Sequence, residues 1–198
     1  SGEYEKTIQA VKDLVDEVSS LHATVETVGV GAPGTISPFD GLMKNANSVV
    51  LNGRPFDRDL ADALGRPVVM ANDADCFALS EAIDGAAAGA EVVFGVILGT
   101  GVGGGIVVDG IVRTGPNRTG GEWGHNPLPW PRPDEIPGPD CYCGKQGCVE
   151  TWLAGPWFAA DHARLTGEDL SAPETVDAAR RGEEAGRRSL ERYVDRLA

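Results

Sequence analysis

The sequence predicts an α/β fold. Segments with apolar residues at helical spacing alternate with short apolar runs of strand length, glycine and proline punctuate the junctions, and no internal repeat or low-complexity tract breaks the order. From Tyr4 to Leu21 apolar residues fall at Ile8, Val11, Leu14, Val15, Val18 and Leu21 with a polar opposite face, the pattern of an amphipathic helix. TVGVGAPG then reads as a short buried strand running into a glycine–proline turn, and SPFDG adds a second turn. PFDRDLADALG is a short helix stopped by glycine, and PVVMAN is another brief apolar strand. NDADCFALSEAIDGAAAGA opens on an N-cap signal and continues as a small-residue helix, in which Cys76 is expected to be a small buried residue. VVFGVILGTGVGGGIVVDGIVRTG predicts two strands around a glycine-rich turn, with Asp109-Gly110 as the hairpin into a third. Pro127 to Pro139 is proline-rich and irregular. Helices resume near Glu150 and, broken by GPW and SAPET, reach Ala198. One internal boundary is expected near Gly89, giving parts 1–89 and 90–198.

Composition narrows the function classes. A chain of 198 residues accommodates one large domain or two small ones, and 17 basic against 30 acidic residues give a net charge of −13. A field of that sign repels nucleic acid and anionic membrane, so small molecules or proteins are the expected partners. No apolar run approaches the ~20 residues of a membrane helix. SGEYEKTIQAVKDL has no basic segment followed by an apolar one, and a cytoplasmic location is expected.

That compartment bears on GEWGHNPLPWPRPDEIPGPDCYCGKQGCVE, which gathers His125, Cys141, Cys143 and Cys148. Reducing cytosol disfavours disulfides, and a bridge across Cys-Tyr-Cys is strained. Three thiolates and one imidazole suit a tetrahedral zinc, with Gly144 and Gly147 allowing a turn that points the sulfurs inward. A closed four-donor shell implies a structural ion that pins a loop; free thiols are the competing reading.

Three further groups could carry chemistry. The loop LGTGVGGG, Leu98 to Gly105, could cradle phosphate on backbone N–H groups with the Thr100 hydroxyl beside it, although ligand-free glycine hairpins are common and no Gly-Lys-Ser/Thr follows. Asn72-Asp73 stands where a strand gives way to a helix. Either residue could cap that helix, or Asp73 could accept a proton from a hydroxyl attacking phosphorus, with Asp75 its nearest rival. Glu122 and His125 in Gly-Glu-Trp-Gly-His could face one ligand, His125 holding metal through one nitrogen and offering the other to a hydroxyl; Glu122 could equally be a solvated loop carboxylate. Trp123 reads as packing. Glu150 either joins that group or is a first-turn helix carboxylate.

In combination, LGTGVGGG, GGEWGH, CYCGKQGCVE and Asn-Asp at the head of a helix resemble the ROK family of sugar kinases and repressors over essentially the whole chain. The resemblance implies an actin-like, ribonuclease-H-like fold of two α/β domains, 1–89 belonging to the smaller and 90–198 to the larger with its zinc loop. It implies zinc on His125, Cys141, Cys143 and Cys148, and sugar contacts from Gly34, Asn45, Asn72, Asp73, Glu122, His125 and Glu150. Asp73 would be the base, and Thr100 and Gly101 would touch phosphate. KNANSVVLNGRPFDRDL, NDADCFALSEAIDGAAAGA and GEWGHNPLPW look most like bacterial fructokinases of the manno(fructo)kinase type. The implied reaction is transfer of the ATP γ-phosphoryl group to the 6-hydroxyl of fructose or mannose with Mg²⁺, in a homodimer. An N-acetylhexosamine kinase is the alternative enzyme. A sugar-sensing repressor is the alternative of another class, opposed by the acidic charge and the lack of a basic recognition helix. A plain zinc-stabilised interaction module is the remaining one. The chain departs from the family at both ends: SGEYEKT supplies no Asp-x-Gly-Gly-Thr element, and the later glycine-rich element that holds adenosine is absent. The resemblance therefore implies a fold incomplete at both ends, with the sugar and zinc sites present and little activity expected from these residues alone.

Overall fold

The computed structural model describes residues 2–21 and 26–198. They form two compact units, Ser1–Gly95 with Gly105–Gly121 and Val96–Gly104 with Glu122–Ala198. The sequence suggests one cut near Gly89. The division into compact units is discontinuous, β5 (Val92–Leu98) and β6 (Val102–Val108) each contributing residues to both.

In the first unit α1 (Gly2–Leu21) is the expected amphipathic helix, but its buried stripe is narrower than its apolar one. Tyr4, Ile8, Val11 and Val15 pack inward, whereas Leu14, Val18 and Leu21 are exposed. Spacings of 4, 3 and 4 keep Tyr4, Ile8, Val11 and Val15 on one face, and Leu14 and Leu21 lie around the helix from it. Tyr4 meets the Phe56 ring edge-on and donates its hydroxyl to Asp59 Oδ2 at 2.6 Å.

β1 (Val28–Ala32) pairs in parallel with β4 (Val68–Asn72), from Val28 opposite Val68 to Ala32 opposite Asn72. The expected buried strand is one-sided: Val28 and Val30 face the core, while Gly29 and Gly31 are exposed on the other face of the pleat. β2 (Thr35–Ile36) and β3 (Met43–Lys44) form an antiparallel pair around the SPFDG turn, and a 3₁₀ turn covers Val49–Leu51. α2 (Phe56–Leu64) buries Phe56, Leu60 and Leu64 and stops at Gly65, whose φ of 62° is the left-handed C-cap glycine accepts readily. α3 (Asp73–Ile83) begins where β4 ends. β5 and β6 are neighbours in a three-stranded sheet with β7 (Ile111–Val112), and Asp109-Gly110, both at positive φ, make the tight turn into β7. Ala78, Val93 and Val107 form a second small core in this unit.

The second unit is built on α4 (Glu150–Leu153), α5 (Gly155–Thr166), α6 (Ala172–Arg180) and α7 (Glu184–Leu197). The breaks at GPW and SAPET have local causes: Ala154 is extended just before α5, which carries Pro156 in its first turn, and Ser171 forms a capping box with Glu174 at the start of α6. The proline-rich segment includes a 3₁₀ turn, Pro133–Glu135, tied down by a buried charge network. Glu135 Oε1 accepts from Arg192 and Arg196 at 2.9 Å each, and Arg196 also donates to Asp161 at 2.8 Å while lying over the Trp152 ring. Val102, Leu128, Val149, Trp152, Leu153 and Ala154 make the core beside it. Among the described residues no helix is long and apolar enough to cross a membrane.

Candidate metal and ligand sites

The head of α3 separates two roles that sequence leaves entangled. Asn72 is the cap: its Oδ1 accepts from the N–H groups of Ala74 and Asp75 at 2.9 and 3.2 Å. Its Nδ2 donates to the Gly34 carbonyl at 3.1 Å, tying the helix to the β1–β2 turn. Asp73, the first helical residue, is left exposed, with Oδ1 accepting from Ala74 N at 2.9 Å. Gly34 has φ of 80° and presses against β3; a Cβ there would meet the Lys44 carbonyl and would lie 2.7 Å from Ala46 N. Asn45, between those two residues, is exposed with φ of 59°. Thus Gly34, Asn45, Asn72 and Asp73 gather at the carboxyl ends of β1 and β4, the end of an α/β sheet where ligands bind.

Asp75 differs from Asp73. It is buried, its Oδ1 has no hydrogen-bond partner, and desolvation followed by the charge of Asp73 pushes its carboxyl above the ordinary range. It lines a cavity of about 340 Å³ with Thr35, Asn72, Cys76, Thr114 and Arg118. Cys76 is exposed, correcting the expectation of a buried thiol: the face of α3 that carries it borders this cavity and the open glycine face of β1, where Gly31 would meet its Sγ.

In the second unit the glycine loop and Glu150 are one construction. Val102 N donates to Glu150 Oε2 at 2.9 Å in a buried bond, and a Cβ on Gly101 would stand 2.8 Å from that same oxygen. Thr100 is exposed at the turn. The Glu150 backbone N–H donates to Gly124 O and that of Val149 to Asn126 O, which draws Gly-Glu-Trp-Gly-His against the end of the cysteine loop. Glu122 is exposed on this segment, and the Trp123 indole donates to Gly103 O at 2.8 Å against the core, the packing role expected of it.

His125, Cys141, Cys143 and Cys148 bring their donor atoms within 4.8 Å of one another. His125 Nδ1 lies 3.4 Å from Cys141 Sγ, and Cys143 Sγ lies 3.6 Å from Cys148 Sγ. A tetrahedron with bonds of about 2.3 Å to sulfur and 2.0–2.1 Å to nitrogen has edges of roughly 3.5–3.8 Å, which these two separations approach, and the donor set is one that suits zinc. Gly144 and Gly147, at φ of 84° and 66°, make the bend, and the Lys145 backbone N–H, acting against desolvation, holds the Cys143 thiol below its ordinary range. The fourth position is filled by protein, so an ion held here would pin the loop and leave chemistry to other groups.

Two features escape sequence reasoning. Tyr142, between two of the cysteines, places its hydroxyl 2.9 Å from His125 Nε2. A mostly apolar cavity of about 430 Å³ opens within the second unit, lined by Leu98, Gly155, Phe158, Pro173, Val176 and Tyr193; Gly155 N donates to Gly99 O of the glycine loop. Its wall is assembled from residues far apart in the chain, and no local spacing announces it.

Comparison with known proteins extends these observations. The model described as "ROK family" matches residues 1–198. The chain is 40% identical over 199 residues to an N-acetyl-D-glucosamine kinase of Citrobacter koseri, covering 98% of this chain and 66% of that protein. Among solved structures, the ROK hexokinase from Thermus thermophilus superposes with a TM-score of 0.76 at 31% identity, over 93% of this chain and 60% of that one. A ROK family glucokinase from Streptomyces griseus, in complex with glucose and AMPPNP, gives a TM-score of 0.70 at 29% identity, over 93% of this chain and 62% of that one.

Proposed function

Since the chain belongs to the ROK family and carries its actin-like α/β fold, we propose that it serves an ATP-dependent kinase acting on the 6-hydroxyl of an N-acetylated hexosamine, N-acetylglucosamine first among them. The observation that carries the substrate is the 40% identity across 98% of the chain to a protein named for that activity. The fructose or mannose reading suggested by the sequence gives way to the N-acetylhexosamine alternative on this ground. An unsubstituted hexose remains the second reading, favoured by the likeness to the hexokinase and the glucokinase.

In this reading Asp73 is the base. Asn72 has taken over the cap, so the Asp73 carboxylate stands exposed at the strand ends. It accepts the proton of the 6-hydroxyl as that oxygen bonds to the γ-phosphorus and the bond to the ADP oxygen breaks. In the first unit Gly34, Asn45 and Asn72 offer contacts to sugar hydroxyls; in the second unit Glu122, His125 and Glu150 offer them. The N–H groups and hydroxyl at Thr100 and Gly101 hold phosphate, with the cavity beside Gly99 and Gly155 offering an apolar seat for a nucleotide base. Mg²⁺ bound with ATP neutralises phosphate charge. His125, Cys141, Cys143 and Cys148 would hold zinc, which would fix the loop that presents His125. The same reading carries a cytoplasmic homodimer. The chain spans 66% of the length of the curated relative it matches, so the test uses the protein that contains it. Asp73→Asn lowers kcat by orders of magnitude and leaves sugar affinity nearly unchanged; equal losses in both would make Asp73 a binding residue and remove it as base.

A further inference from the structure

The imidazole of His125 has both nitrogens engaged, within one unit of the fold. Nδ1 faces Cys141 Sγ at 3.4 Å inside the four-donor cluster, and Nε2 lies 2.9 Å from the Tyr142 hydroxyl. The two rings meet edge-on, 4.9 Å apart at 86°. Tyr142 is carried between Cys141 and Cys143, on the very loop a metal would pin, yet 81% of it is exposed. Packing therefore does not hold the phenol in place.

We propose that Tyr142 is the resting partner of His125: its oxygen accepts from the Nε2–H that metal binding at Nδ1 leaves on the ring, and a sugar hydroxyl must take its place to reach Nε2. This rests on the reading of His125 as both zinc ligand and sugar contact. A neutral imidazole whose Nδ1 lone pair goes to a cation carries its proton on Nε2. Nε2–H then donates, and the phenol oxygen accepts. Outer partners of this kind orient metal-bound histidines, and losing one typically costs ~10–100-fold in metal affinity. A sugar hydroxyl offers the same acceptor chemistry as the phenol, and the exposed Tyr142 ring is free to swing away when one arrives. Tyr142 is thus a positioning residue that couples sugar binding to metal retention.

Tyr142→Phe keeps the ring and removes one oxygen. Zinc affinity is measured by chelator competition on the protein that contains this chain, with and without N-acetylglucosamine. Without sugar, the variant should hold zinc about 10-fold or more weaker than the parent. Sugar should restore most of that loss in the variant and change the parent much less. In the zinc-loaded parent, ¹⁵N-histidine spectra should show His125 protonated at Nε2. Equal zinc affinity in both proteins, failure of sugar to restore the variant, or protonation at Nδ1 would each overturn the proposal. Absence of zinc binding in both proteins would overturn the metal reading and this inference with it.

Discussion

Replacing Asn72 tests how the head of α3 is built. Asn72→Ala removes the oxygen that accepts from Ala74 N and Asp75 N and also the amide that donates to Gly34 O. Loss of an N-cap costs about 1 kcal/mol, and loss of the Gly34 bond about 1 kcal/mol more. The expected destabilisation is therefore about 2 kcal/mol, a roughly 30-fold fall in the folded-to-unfolded ratio. Asn72→Asp keeps a capping oxygen and places a carboxylate where the helix dipole favours it, but cannot donate to Gly34, so it should lose about 1 kcal/mol. Urea unfolding followed by circular dichroism measures both. Two variants destabilised alike, or an alanine variant within about 0.5 kcal/mol of the parent, would refute the division of labour that leaves Asp73 free.

Other expectations follow from single contacts. Gly34→Ala combines a left-handed φ with backbone atoms in the way of its Cβ, and should destabilise by more than the 1–2 kcal/mol or so of the φ penalty alone; thermal unfolding indistinguishable from the parent would contradict it. Cys143→Ser should release zinc, read by elemental analysis of the purified chain, and loosen the loop carrying His125; undiminished metal would sink the assignment. Asp161 is buried, and its desolvation is outweighed by Arg196 and Arg164, which hold its carboxyl below the ordinary range. A depressed folded pKa contributes stability above the unfolded value of about 3.9 that is lost as pH falls through the folded one. Urea midpoints should therefore drop below about pH 4, and Asp161→Asn should flatten that acid limb; parallel acid limbs would count against it.

Much of the fold is legible in the sequence because its signals are local. Asn72, Gly65, Ser171 and Asp109-Gly110 each mark an element end through the backbone conformation they permit or the N–H they satisfy. The candidate metal-binding group of His125, Cys141, Cys143 and Cys148 is legible for the same reason, since three of its members lie within one short loop. What the sequence hides is long-range. The Glu135–Arg196 contact spans 61 positions, so nothing near either residue signals a buried pair. The exposure of Cys76 depends on a neighbouring strand that offers glycine on that face. The pairing of Tyr142 with His125 depends on how the loop folds back, and side-chain spacing alone shows only an aromatic between two cysteines. Sugar identity lies in loop shapes that unaligned residues do not display, so the sequence alone does not separate fructose from N-acetylglucosamine.

The central claim is tested most directly by sugar-dependent ADP release from MgATP in the protein containing this chain, with N-acetylglucosamine, fructose, mannose and glucose side by side and Asp73→Asn as control. The account predicts release that is fastest with N-acetylglucosamine, yields the 6-phosphate and disappears in the variant. A preference for fructose, mannose or glucose, or turnover that survives Asp73→Asn, would contradict it.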